Sequence, residues 1–160
     1  MMIYLAGPVF TLAERRFNEE LAVELERLCP SLQVFLPQRY DKEFQGAPDF
    51  SKRMFTSLMK ALDNCEAVIA VLDGSDADSG TSFEMGYARG RGKKVIGIRT
   101  DFRGGEDKGL NLMLSNACCD LIVEPSTTTT LTCLADRMVK ALAADAMPFR
   151  ERRDMSSLLP

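Results

Sequence analysis

Four acidic side chains lie close together in the stretch DGSDADSGTSFEMGYA, and their spacing allows carboxylate chemistry. These acids are Asp73, Asp76, Asp78 and Glu84. We expect a helix to begin at Asp78 or Ser79, so that Glu84 lies about one turn inside it, near the positive end of the helix dipole. A carboxylate that is ionised there but partly desolvated can act as a nucleophile. Asp78 would be a second carboxylate in a different environment, so that the two acids could divide the nucleophile and proton-transfer roles, as in glycoside chemistry.

The same residues also allow structural roles. Thr81-x-x-Glu84 fits a capping box, in which the glutamate accepts a hydrogen bond from a backbone N–H. Asp78 alone can serve as the N-cap. The aspartates are candidate ligands for a divalent cation, but no further ligands follow at a suitable spacing, so we expect no metal.

Composition excludes several classes of chemistry. The 160 residues include no histidine, which removes histidine bases and ligands and leaves proton transfer to carboxylates, tyrosines or lysines. A net charge of −3 without a long basic run argues against a nucleic acid polymer as partner. The absence of G-x-G-x-x-G and P-loop motifs predicts no nucleotide cofactor. Five cysteines without a C-x-x-C pair favour free thiols in the cytoplasm. No apolar stretch is long enough to span a membrane.

Short apolar runs alternate with amphipathic stretches along the chain. The predicted strands are 3–7, 32–37, 67–74, 93–100 and 120–125. The predicted helices are 11–28, 50–64, 79–91, 110–116 and 131–145. This alternation predicts a single-domain α/β fold, a doubly wound, flavodoxin/Rossmann-like five-stranded parallel sheet with helices on both faces. We place the domain at 1–146 and a C-terminal tail at 147–160, with a flexible loop at 103–109.

The carboxyl ends of the predicted strands should form one crevice, because ligands bind there in such folds. These ends fall in 4–10, 36–38, 72–78 and 98–101. Tyr4, Phe10 and the Gly-Pro turn between them suit a flat, partly apolar ring. Each of these features also has a purely structural interpretation: the first segment as a strand and its turn, Gln38 as a turn residue and Asn111 as a surface amide.

Together the segments resemble the nucleoside 2-deoxyribosyltransferase family. The motifs that carry the resemblance are IYLAGPVF, AVIAVLDG, DSGTSFEMGYA, KKVIGIRTDFR and LNLML, in this order over residues 3–123. The resemblance implies a retaining, two-step transfer of deoxyribose between nucleobases. Glu84 matches the nucleophile that forms a covalent deoxyribosyl ester, Asp78 the acid that binds the sugar hydroxyls, and Tyr4 the tyrosine that positions the nucleophile.

The resemblance also implies a substrate site shared between subunits. The matching residues are Gly7, Phe10, Gln38, Asp73, Gly80, Asn111 and Met113. Phe10 and Gln38 would contact the base, and Asn111 would reach the sugar from a neighbouring subunit. The implied protein is a cytoplasmic homo-oligomer of nucleoside salvage that binds small-molecule nucleosides and nucleobases and needs no cofactor.

One departure from the family pattern concerns protonation of the leaving base. The family usually has an acid eight residues ahead of the acid that opens the third strand, here Glu66, and this chain has Leu58. Asp73 or Asp63 are candidate substitutes.

Two alternatives therefore stay open. One is an N-glycoside hydrolase of nucleosides or deoxynucleoside 5′-monophosphates, although the turn GPVFTLAERR has one glycine and places Arg15 and Arg16 on a helix. The other is a non-catalytic nucleoside-binding module, which has no need of the Tyr4, Asp78 and Glu84 set.

Overall fold

The computed structural model describes residues 1–103 and 110–144. The predicted tail and nearly all of the predicted loop at 103–109 lie outside these residues. The strands are β1 Met2–Ala6, β2 Gln33–Phe35, β3 Ala67–Val71, β4 Lys94–Arg99 and β5 Asp120–Val123. The helices are α1 Leu12–Leu28, α2 Phe50–Asn64, α3 Ser79–Gly90, α4 Leu112–Ala117 and α5 Leu131–Ala143. Two short 3-10 turns, Pro37–Arg39 and Asp41–Glu43, lie within the segment that connects β2 to α2.

The five strands form one open, entirely parallel sheet in the order β2-β1-β3-β4-β5. This confirms the predicted doubly wound α/β fold. The order reverses between β1 and β3, which are hydrogen-bonded neighbours with Tyr4 opposite Val68. Chains leaving these two strands go to opposite faces, which opens a crevice at their carboxyl ends.

Two hydrophobic cores cover the two faces of the sheet. On one face, Ile3 and Leu5 of β1 belong to a cluster with residues of α1 and α5. On the other face, Tyr4 and Ala6 belong to a cluster with residues of α2 and α3. Because side chains alternate along a strand, Tyr4 extends from the buried sheet toward α3, the helix that carries Glu84.

No helix within residues 1–103 and 110–144 is both long enough and apolar enough to cross a membrane.

Candidate active site

Tyr4 and Glu84 form the central contact of the site. The Tyr4 hydroxyl donates a hydrogen bond to Oε1 of Glu84 at 2.5 Å. Tyr4 is fully buried in the sheet. Burial and the neighbouring Glu84 raise the pKa of Tyr4 far above its ordinary value, so the hydroxyl keeps its proton and remains a donor.

Glu84 is a carboxylate whose charge is unfavourable in its surroundings. Burial raises the pKa of Glu84 from 4.5 to about 7, with a smaller contribution in the same direction from the charge of Asp78. The hydrogen bond from Tyr4 opposes this and lowers the pKa. Desolvation is the larger effect, so near neutral pH a substantial fraction of Glu84 is protonated. From the sequence we expect an ionised, partly desolvated carboxylate near the helix start; the desolvation raises its pKa, against the effect expected from the helix dipole.

Asp78 fixes the start of α3. It is the N-cap residue, and its Oδ2 accepts hydrogen bonds from the Thr81 backbone N–H at 2.8 Å and the Thr81 hydroxyl at 3.0 Å. The alternative capping box between Thr81 and Glu84 is wrong, because α3 begins at Ser79 and Glu84 therefore lies in its second turn. Asp78 caps the helix, and Glu84 bonds to Tyr4 instead of to a backbone N–H.

A cavity of about 360 Å³ opens beside these carboxylates. Its lining residues come from the turn after β1, α1, the segment after β2, α2 and the start of α3. They are Gly7, Val9, Phe10, Arg15, Pro37, Gln38, Asp41, Phe50, Met54, Leu58, Asp78, Gly80, Thr81 and Glu84. Its volume lies within the range of small-molecule sites, and its combination of apolar walls with a few polar groups is typical of them.

Most of the sequence-predicted site residues meet at this cavity. Gly7, Phe10, Gln38 and Gly80 line it together with Asp78 and Glu84. Gly7 allows the turn to pack tightly, since a Cβ there would lie 3.2 Å from both Asn18 Oδ1 and Val71. The Phe10 side chain is 78% exposed, so it is accessible to a flat ligand at the cavity wall.

Asp73 is not in this cavity. Its carboxylate accepts hydrogen bonds from the Thr100 N–H and hydroxyl, both at 2.6 Å, and from the Asp101 N–H at 2.9 Å. Asp73 therefore ties the end of β3 to the end of β4. It lines a separate cavity of about 270 Å³ with Asn18.

Asn111 and Met113 also lie outside the Glu84 cavity of the same chain. Asn111 is the N-cap of α4, where its Oδ1 accepts a hydrogen bond from the Met113 N–H at 2.8 Å. Both side chains are exposed, and Met113 is 71% exposed. Their predicted role requires a second subunit and stays a prediction.

The candidate substitutes for the missing acid do not lie at the cavity. Leu58 lines it, as a residue at that helix position should. Asp63 is exposed and accepts a hydrogen bond from the Tyr87 hydroxyl at 2.7 Å, and neither Asp63 nor Asp73 is part of the cavity wall. Neither residue lines this cavity in the described chain, and the role of either one as a substitute for the missing acid stays a prediction.

In the sequence, Arg15 is a candidate only for a 5′-phosphate, and nothing singles out its partner Asp41. Arg15 Nη2 donates to Asp41 Oδ2 at 2.7 Å, and both residues line the cavity. Asp41 lies in a polar stretch that resembled an ordinary surface loop. The pairing joins α1 to that stretch across 26 positions of sequence, which no local pattern reveals.

Comparison with known proteins agrees with the fold and with the family resemblance of the sequence. A family model described as nucleoside 2-deoxyribosyltransferase matches residues 3–114. The chain belongs to this family. An uncharacterized protein of Schizosaccharomyces pombe is 32% identical over 111 residues, which cover 63% of this chain and 51% of that protein. The chain thus spans about half the length of the curated relative it matches.

Several solved structures share the fold at low sequence identity. A conserved protein from Enterococcus faecalis superposes with a TM-score of 0.71 at 23% identity, over 88% of this chain and 98% of that one. A 2-deoxyribosyltransferase from Bacillus psychrosaccharolyticus gives a TM-score of 0.68 at 18% identity, over 93% and 99%. A CMP N-glycosidase from Clostridium botulinum gives 0.58 at 17% identity, over 87% and 99%. These likenesses establish the architecture of the chain.

Proposed function

We propose that this protein cleaves the N-glycosidic bond of a 2′-deoxyribonucleoside and transfers the deoxyribose to a second nucleobase, as an enzyme of nucleoside salvage. The observation that carries the proposal is the partly buried Tyr4–Glu84 hydrogen bond at the wall of a cavity of nucleoside size. A desolvated carboxylate held by one hydrogen bond is a suitable nucleophile for glycosyl transfer.

Glu84 Oε2 is the attacking atom in this mechanism. Oε1 is occupied by the Tyr4 hydroxyl, whereas Oε2 accepts no hydrogen bond from the described residues. Oε2 forms a bond to C1′ of the sugar, and the bond from C1′ to the base nitrogen breaks with its electron pair leaving on the base. A second base then attacks C1′ and displaces the Glu84 carboxylate, so two inversions give net retention.

Asp78 is placed to bind the sugar beside the nucleophile. Its Oδ2 is occupied by Thr81, but Oδ1 accepts no hydrogen bond from the described part of the chain and is available to a sugar hydroxyl. The carboxylates of Asp78 and Glu84 differ in environment, because one caps a helix and the other is desolvated beside Tyr4. This difference suits one to binding and the other to attack.

Hydrolysis is the second candidate, since water can replace the acceptor base. Phe10, at the cavity wall, is mostly exposed, which leaves room for water to reach the ester. Recognition of a 5′-phosphate has less support. Arg15 forms an ion pair with Asp41 at 2.7 Å. The Arg16 side chain is 81% exposed and forms an ion pair with Glu20 at 2.7 Å.

The test is a chromatographic product assay with deoxyinosine or thymidine as donor, with and without free adenine. Deoxyadenosine that forms only with adenine establishes transfer, whereas free base released equally without acceptor establishes hydrolysis. Glu84→Gln should abolish both reactions. The matched control Glu20→Gln changes an exposed surface ion pair of little energetic weight and should leave the rate unchanged.

The intermediate can be tested separately. Brief incubation with donor followed by acid quench and peptide mass spectrometry should show a deoxyribosyl adduct on the peptide that contains Glu84. Turnover that persists in Glu84→Gln would refute the nucleophile assignment. Absence of any product with purine and pyrimidine donors would instead favour the non-catalytic binding module.

A further inference from the structure

A short, tight segment connects the end of β3 to the N-cap of α3. Asp78 follows Gly74 by four positions, so the path of the chain at Gly74 decides where the Asp78 carboxylate lies. Gly74 has a φ of +117°, and a Cβ there would lie 2.9 Å from the backbone oxygen of Asp76. Because the turn is this tight, a displacement at its first residue reaches Asp78.

Arg99, the last residue of β4, holds the start of this segment. Its Nη1 donates to the backbone oxygen of Leu72 at 2.6 Å, and its Nη2 donates to that of Gly74 at 3.1 Å. The planar guanidinium thus bridges two carbonyl groups on either side of Asp73 in a fixed geometry. Arg99 is 3% exposed, so solvent does not compete for these bonds.

Two aspartates add further bonds between the same segments. Asp73 accepts hydrogen bonds from Thr100 and Asp101, which follow β4. Asp101 in turn accepts a hydrogen bond from the Gly74 N–H at 3.1 Å, and its side chain is 8% exposed. Gly74 is therefore held through its N–H by Asp101 and through its carbonyl oxygen by Arg99.

A buried arginine is an energetically unfavourable residue with which to end a strand. A charge that leaves water costs free energy, and within residues 1–103 and 110–144 the acceptors of Arg99 are two carbonyl oxygens and not a carboxylate. A buried apolar side chain would avoid this cost. What the guanidinium adds is a fixed position for Leu72 and Gly74, at the edge of the sheet where the candidate site opens.

We propose that Arg99 is a positioning residue of the active site, which sets the place of Asp78 beside Glu84 by fixing the start of the segment between β3 and α3. The inference rests on the proposed function for the role of Asp78 in binding the sugar. Arg99 does not line the Glu84 cavity and acts on the substrate only through Asp78. Glu84 is held separately by the Tyr4 hydroxyl, so loss of Arg99 should move one carboxylate relative to the other.

The first experiment compares kcat/KM for a deoxynucleoside donor in Arg99→Met and Arg99→Lys. Arg99→Met removes both hydrogen bonds and should lower kcat/KM about hundredfold, because a misplacement of about 1 Å can cost that much. Arg99→Lys keeps the charge but has no planar fork to span two carbonyl groups. It should recover part of the loss and remain about tenfold below the wild type, since one hydrogen bond is missing. Wild-type kcat/KM in folded Arg99→Met, or in Arg99→Lys if Arg99→Met does not fold, would overturn the inference.

Lys94→Met is the matched control on the same strand. Lys94 begins β4, and its Nζ donates to the backbone oxygens of Leu142 at 3.2 Å and Ala144 at 2.6 Å. It also joins two carbonyl groups to β4, but at the end of the sheet opposite to the candidate site. Lys94→Met should leave kcat/KM unchanged. A loss as large as that of Arg99→Met would show that Arg99 contributes only general stability.

A double variant separates positioning from a general structural role. Asp78→Asn preserves the helix cap and removes the carboxylate that Arg99 is proposed to place. If Arg99 acts through Asp78, Arg99→Met should lower kcat/KM little further in the Asp78→Asn background. Losses that multiply as two independent effects would contradict the proposal.

The position of Asp78 is also measurable without turnover. Burial raises the pKa of Glu84 to about 7, and the charge of Asp78 adds to this rise. In a carbon NMR titration of the Glu84 carboxyl group, assigned by its absence in Glu84→Gln, the midpoint should fall in Arg99→Met and should not move when Asp78 is already asparagine. Removal of the Arg99 cation alone would raise the midpoint, so a fall isolates the displacement of Asp78. A midpoint that does not fall refutes the positioning role.

The outcomes separate this inference from the proposed function. A wild type that turns over no donor refutes the function, and the NMR titration then still decides whether Arg99 sets the position of Asp78. Turnover that is unchanged in Arg99→Met refutes the positioning role and leaves the function.

Discussion

Replacing Glu84 with glutamine should make the stability of this protein less dependent on pH. Glu84 is partly buried beside Tyr4 and Asp78, and its pKa in the folded protein is about 7, against 4.5 as the ordinary value. The folded state therefore binds this proton more tightly than the unfolded chain does. Glutamine has nearly the same shape and can still accept from the Tyr4 hydroxyl, but it does not titrate.

The size and sign of the effect follow from these two pKa values. Below about pH 4.5, Glu84 is protonated in both states, and the folded protein gains the full benefit of the neutral carboxyl group. As the pH rises through about 7, the folded state must accept a desolvated charge, and that stability is lost. The gap of about two and a half pH units corresponds to about 3 kcal/mol at most.

The assay is urea denaturation of the wild type and Glu84→Gln at a series of pH values from about 4 to about 8.5. The quantity of interest is the difference between their free energies of unfolding, because titration of all other groups cancels in it. We expect the wild type to lose up to about 3 kcal/mol relative to the variant over this range.

Tyr4→Phe provides the control. The Tyr4 hydrogen bond lowers the pKa of Glu84, so its removal should widen the gap between folded and unfolded values. Urea denaturation of Tyr4→Phe and of the double variant Tyr4→Phe/Glu84→Gln should then show a larger loss of unfolding free energy for the protein that keeps Glu84. This loss should extend to higher pH. The claim that Glu84 is desolvated would be refuted if the difference in unfolding free energy between the wild type and Glu84→Gln did not change with pH. It would also be refuted if the wild type became more stable relative to the variant as pH rises.

Three further predictions concern activity. The rate should rise with pH through about 7 as Glu84 ionises; Asp78→Asn should move this rise to lower pH and Tyr4→Phe to higher pH, and pH–rate profiles with unmoved midpoints would contradict the assignment. Ribonucleosides should be poor substrates if Asp78 and Glu84 crowd the 2′ carbon, which equal rates on adenosine and deoxyadenosine would disprove. If sites are shared between subunits, inactive Asn111→Ala and Glu84→Gln proteins should regain activity when refolded together, whereas an active, strictly monomeric species in sedimentation would exclude sharing.

The sequence predicted the scaffold well because each element carries its own local signal. The apolar spacing and flanking residues of α2 gave its bounds as 50–64, as observed. The near-continuous apolar run of β3 indicated a strand buried on both faces, and all residues of Ala67–Val71 are buried. Alternation of strands and helices then left few arrangements other than a parallel sheet.

The parts of the site that sequence could not supply depend on contacts between distant segments. Thr81-x-x-Glu84 satisfied a local helix-start rule, yet Asp78 competes for the same N-cap position and occupies it. Asp73 follows β3 as a ligand-binding acid would, but Thr100 and Asp101 engage its oxygens. In both cases the residue type was informative, but the partners that decided the roles of Glu84 and Asp73 are Tyr4 on β1 and Thr100 directly after β4.

The position of Glu84 in the second turn of α3 explains how two neighbouring acids come to differ. A first-turn acid would share the exposed backbone N–H groups that Asp78 already uses, and both carboxylates would then favour the ionised form. Glu84 lies one turn further along the helix, where those N–H groups are out of reach, and its Oε1 accepts a hydrogen bond from the Tyr4 hydroxyl of the buried sheet. Because Asp78 both caps the helix and raises the pKa of Glu84, Asp78→Asn is the informative change. Asparagine preserves the cap while it removes the charge, so a shift in the pH profile without loss of helix stability isolates the electrostatic contribution.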